Sequence, residues 1–161
     1  MKTLKIEIPK GYEIKKIDTS TGEVKFQKKA AQRIERISTF EEVCEEMGED
    51  PEKYNYHLHQ TVPLNEYAML QYERLLLIAK CFQEGVELNL YDRNQRKWYP
   101  WFSASGDAGF RFHDSDFTYS HSRAALGPLL QFPDKETSDY VGKTFLKEYQ
   151  RLAELSNHQN Q

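Results

Sequence analysis

The sequence predicts an α+β fold: an antiparallel sheet packed by two main helices, with an N-terminal β-meander. Three observations carry this. Short stretches with apolar residues at every second position open the chain and return after residue 97, the period of half-buried strands. Between them, Ala68, Tyr72, Leu75, Leu76, Ala79 and Phe82 repeat at helical spacing, and Val141, Phe145, Tyr149 and Leu152 do so again near the C-terminus. Turn and stop residues, among them Gly22, Gly48 and Gly85, fall between these runs.

Taken in order, Leu4, Ile6 and Ile8 alternate with Lys5 and Glu7 and predict a first strand that Pro9 and Gly11 end. Tyr12, Ile14 and Ile17 predict a second. Thr19-Ser20-Thr21-Gly22 supplies turn chemistry, and Val24 and Phe26 predict a third strand. Thr39 with Glu42 three positions on has the form of a capping box, so a short helix should run from Phe40 to Met47 and stop at Gly48. Residues 54–63 show no period and read as loop. A long helix is expected over residues 65–84, with Asn65 as its cap and Gly85 as its stop. Next come two strands, Trp98-Tyr99-Pro100-Trp101-Phe102 and Gly109-Phe110-Arg111-Phe112, joined by a small-residue loop, with Pro100 at an edge or a bulge. A third stretch, residues 117–122, alternates weakly. Asp134 can cap one last helix that carries the Val141–Leu152 stripe. The whole reads as a single domain: residues 1–37 the meander, 38–63 a short helix and loop, 64–155 the main α+β core, 156–161 a frayed tail.

Composition narrows the function classes. The chain has 161 residues, 29% of them charged, and its formal net charge of −3 argues against a surface that wraps duplex nucleic acid. Lysines and arginines crowd the first 36 residues, and a run from Glu41 to Glu52 is acidic; both read as solvated faces. Cys44 and Cys81 lie far apart in apolar-periodic stretches and read as buried thiols in a reducing compartment. Met1 leads into a charged alternating segment without secretory character, and no apolar run reaches the length of a membrane span. The expected location is cytoplasmic, with no membrane partner.

The aromatic block is the most informative feature. In a strand, Trp98, Pro100 and Phe102 point to one face and Tyr99 and Trp101 to the other. If the first face fills the core, the second exposes two large rings, a platform for a base or for a partner's side chain. Arg111, lying between Phe110 and Phe112, joins the same face. The alternative is that helices cover both faces and every ring is core. Arg93, Arg96 and Lys97 precede the block, and Ser120, His121, Ser122 and Arg123 follow the second strand. Guanidinium beside hydroxyl suits a phosphate, so these groups with the rings outline a pocket for a nucleotide-type ligand; surface pairing with Asp92, Asp107 or Asp116 is the simpler alternative. The candidate ligand-binding set is therefore Arg96, Trp98, Tyr99, Trp101, Arg111, Ser120, Ser122 and Arg123. A metal site drawn from His113, Asp114, Asp116 and His121, or from His57 and His59, matches no ligand motif, so no metal or cofactor is expected. The sequence has no phosphate-cradling glycine loop, no nucleophile elbow and no HExxH, and neither cysteine has a histidine partner in view. Enzyme is the least supported class.

Four blocks, KTLKIEIPKGYEI at residues 2–14, YPWF at 99–102, GFRF at 109–112 and GKTFLKEY at 142–149, resemble a group of uncharacterised small proteins carried by phages and prophages of gut Bacteroidetes. The resemblance implies a mobile-element gene product acting inside a bacterial cell, and it carries over no catalytic residue. The functional expectation is a non-enzymatic accessory binding protein, sequestering a nucleotide-type ligand or a host defence protein. The alternatives are a structural or virion protein that uses its aromatic face as a homo-oligomer interface, and a single-strand nucleic-acid binder.

Overall fold

In the computed structural model, which describes residues 6–8, 12–28, 33–55, 64–105, 109–119 and 129–155, the chain is α+β. Two strands, Tyr12–Asp18 (β1) and Glu23–Lys28 (β2), pair antiparallel. Their turn is local chemistry: the Asp18 carboxylate accepts from the Ser20 and Thr21 amides at 2.9 and 3.3 Å, and Gly22 takes φ 75°. Of the first predicted strand only residues 6–8 are described; they carry no strand assignment, and Ile8 is exposed.

Helix α1 (Phe40–Met47) has the predicted ends. Thr39 and Glu42 form both halves of the capping box, and Gly48 closes the helix in the left-handed region at φ 68°. Helix α2 (Leu64–Gln83) is the central element, and Leu75, Ile78, Ala79, Cys81 and Phe82 bury its apolar face. Asn65 lies within its first turn, not at its cap. Glu84 and Gly85, both at positive φ, end it.

The second sheet is the hairpin Lys97–Ser105 (β3) and Gly109–Thr118 (β4). The weak third stretch begins inside β4, which runs to Thr118, and its residues 120–122 lie outside the described residues. Between Trp101 and Phe102 the register slips: Trp101 pairs with Asp114 and Phe102 with Phe112, so His113 is an extra residue in β4. Among the described residues the far edge of β3 is paired at one place, where Trp98 and Phe132 exchange backbone bonds of 2.9 and 2.7 Å. Because alternate residues of a strand turn their polar groups to alternate sides, the nitrogen of Pro100 also points to that edge. No rung between β3 and β4 is lost to it.

A single C-terminal helix was expected, and two are present: α3 (Lys135–Thr144), capped by the Asp134 carboxylate on the Thr137 amide at 2.8 Å, and α4 (Leu146–Glu154). The break falls at Phe145, which is buried edge-on to Phe82 with centroids 5.7 Å apart. The change of direction lets α3 lie on the hairpin while α4 lies along α2. Gly142 makes the first contact close: a Cβ there would stand 2.7 Å from the Phe112 ring and from Pro100. Ser138 and Ser115 share a buried hydroxyl contact of 2.8 Å, and Tyr149 packs on Phe102 at 4.7 Å. Among the described residues no helix is long and apolar enough to cross a membrane.

Candidate functional site

The extra residue in β4 decides which side chains share a face. Pro100 and Phe102 of β3, with Phe110, Phe112, Ser115 and Phe117 of β4, turn to one side, and α3 and α4 cover most of it. Lys97, Tyr99 and Trp101, with Arg111, Asp114 and Asp116, turn to the other.

The two rings expected to form one exposed platform part company on that second face. Trp101 is 53% exposed and lies against the His113 ring at 4.4 Å. Tyr99 is only 3% exposed, and its hydroxyl donates to Asp116 Oδ2 at 3.2 Å. A phenol can be buried at this low cost because a carboxylate directly across the ladder meets its one polar atom. Tyr99 is therefore a core ring, and the expectation of a Tyr99–Trp101 pair is corrected. Arg111 does share Trp101's face. It is exposed and donates from Nε to Ser103 Oγ at 3.1 Å.

Arg96 and Trp98 come together at the opposite end and on the opposite face. Trp98 packs on Phe117 with centroids 4.9 Å apart, Phe117 meets Tyr119 edge-on at 5.4 Å, and the Arg96 guanidinium lies 4.8 Å over the Phe117 ring. Arg96 Nε also donates to the Tyr119 hydroxyl at 3.2 Å. This is a cation resting on a ring stack, half open to solvent. Phe117 and Tyr119 are members that the sequence reading missed, although the alternation Phe117, Tyr119 opposite Trp98, Arg96 was there to be read. Ser120, Ser122 and Arg123 lie outside the described residues, as do His121, His57 and His59.

Lys97 corrects a second expectation. It was grouped with phosphate-ready cations, yet its side chain is 1% exposed and its ammonium donates to the carbonyls of Asp92, Gln95 and Tyr119. All three N–H bonds are used, which is what keeps a buried ammonium affordable. The clamp ties the loop before β3 to the end of β4 and so holds Arg96 beside Tyr119.

The described members of the candidate metal sets meet other groups: His113 lies on Trp101, Asp114 pairs with Lys135 at 2.7 Å and Asp116 accepts from Tyr99. No group of three or more His, Cys, Asp or Glu side chains is placed to hold an ion among the described residues. Both thiols are buried, and burial pushes the Cys81 thiol up to about 11, far from nucleophilic range at neutral pH. Comparison with protein-family models, with curated proteins and with solved structures gave no match.

A further polar centre escaped the sequence reading. Arg74 of α2 is buried and grips Glu148 of α4 with Nε and Nη2 at 2.9 and 3.0 Å. Gln71 adds a bond of 2.6 Å to the same carboxylate, Arg151 another of 3.2 Å, and the Arg74 guanidinium lies 3.7 Å over the Phe40 ring. Burial alone would push Glu148 up, but these partners outweigh it and hold the carboxyl below the usual glutamate range. The visible signal was Gln71 and Arg74 interrupting the buried face of a core helix.

Proposed function

We propose that this chain is a non-enzymatic binding protein whose contact surface is the exposed Trp101–Arg111 face of the β3–β4 hairpin, and that it holds another protein. The observation that carries the reading is Trp101, more than half exposed on a strand whose neighbouring rings are sheltered, with Arg111 on the same face. Exposed tryptophan and arginine are the residue types that dominate binding energy when a partner covers them. A protein surface is favoured over an enclosed nucleotide because Arg96 and Arg111 stand on opposite faces of the hairpin and Tyr99 is sealed. Two guanidinium groups so placed do not converge on one phosphate. The resemblance to small phage and prophage proteins supplies the setting, a bacterial cell in which the partner is a host protein.

The test is a photo-reactive benzoylphenylalanine at position 101, expressed in a bacterial host, followed by reconstitution with the purified captured protein. The expected result is one defined partner, bound by the wild type and released by Trp101→Ala with Arg111→Ala. The pair should lose at least about a hundredfold in affinity, the size expected when hot-spot residues are truncated. Unchanged binding by that variant overturns the reading. Crosslinks only between copies of the chain would support the homo-oligomer alternative.

A further inference from the structure

Beside the Arg74–Glu148 pair lies a cavity of about 300 Å³, bounded among others by Tyr54, Tyr67, Gln71, Arg74 and Arg151. It is remote from the hairpin surface in both elements and chemistry. Its size is at the lower end of small-molecule sites.

Two features of its wall point to an anion. The first is charge: Glu148 is the one carboxylate bonded to both Arg74 and Arg151, so this cluster has a formal surplus of one positive charge. The second is unused donor capacity. Arg74 has five N–H groups, of which Nε and one on Nη2 go to Glu148 and one on Nη1 goes to the Tyr54 carbonyl at 3.2 Å. The other two find no partner among the described residues, though the residue is only 6% exposed. Buried polar groups are nearly always satisfied, so groups of this kind on a cavity wall call for an occupant. The guanidinium is also preoriented, since Glu148 fixes one edge and the Phe40 ring its plane. A site that need not rearrange loses little entropy on binding.

We propose that this cavity binds a small organic carboxylate, whose oxygens take the spare N–H groups of Arg74 and Arg151 while its body lies beside Tyr54 and Tyr67. Arg151 is half exposed and meets Glu148 at 3.2 and 3.4 Å, beside the shorter bonds from Arg74 and Gln71 that keep this carboxylate paired when Arg151 is changed.

The experiment is an NMR titration of the full chain with benzoate, with benzamide as an uncharged probe of the same shape, reading the side-chain signals of Gln71, Arg74 and Arg151. Benzoate should shift all three in a saturable way, and benzamide should not. Arg151→Gln should weaken benzoate about tenfold, the scale of one charge-assisted hydrogen bond. The proposal is overturned if benzoate leaves these signals in place, so that only water fills the cavity. It is overturned equally if benzamide shifts them as much, or if Arg151→Gln binds benzoate as the wild type does. Signals from Trp101 should stay still throughout, which separates this outcome from that of the hairpin.

Discussion

The α2–α4 contact and the exposed face of the hairpin use the same residue types, arginine beside aromatic rings, to opposite ends. Between the helices Arg74 is buried, stacked on Phe40 and locked by Glu148. On the hairpin Arg111 is exposed, held by one serine hydroxyl, with Trp101 in solvent on the same face. A guanidinium with its charge matched inside the fold stabilises that fold only as a pair, and removing one partner strands the other in low dielectric. A guanidinium left wet contributes little to stability and keeps its bonding capacity for something outside. The difference separates an arginine whose fork mostly holds the fold, with two N–H groups left for the adjoining cavity, from one whose fork is mostly left to solvent.

The largest effect expected is from Glu148→Gln, which leaves Arg74 buried with its charge unmatched and should cost about 3–5 kcal/mol in chemical denaturation. Next comes Gly142→Ala, which pushes a methyl into Phe112 and Pro100 and should cost about 1–3 kcal/mol by overpacking. Calorimetry of that variant tests whether α3 truly seats on the sheet. The buried pair also gives an acid signature. Because Glu148 is depressed when folded, its contribution is complete above the ordinary glutamate value of about 4.3 and is lost as pH falls through the folded value. The stability gap between wild type and Glu148→Gln should therefore narrow below pH about 4; a gap that widens in acid would contradict the assignment. The smallest effect should come from Trp101→Ala, within about 0.5 kcal/mol of wild type, as for a surface change that breaks no buried contact. A larger loss would mean that the indole belongs to the fold.

What was legible in the sequence was what is local. The capping box at Thr39 and Glu42 and the glycine at 48 are three- to nine-residue signals, and α1 has those ends. The hairpin strands and the apolar stripe of α2 follow from periods of two and 3.6. The burial of Tyr99 could not be read, because it depends on what packs over that end of the sheet and on Asp116, seventeen positions away. Arg74 and Glu148 are separated by 74 residues, so their pairing exists only once α3 and α4 diverge at Phe145. The bulge at His113 was equally silent, yet it sets which side chains of β4 accompany Trp101.

Quenching of Trp101 fluorescence by iodide, in a Trp98→Phe variant that keeps a ring against Phe117, addresses the open hairpin most directly. An indole more than half exposed should be quenched nearly as efficiently as a free one. Protection comparable to that of a core tryptophan would close this surface and remove the basis for a partner there.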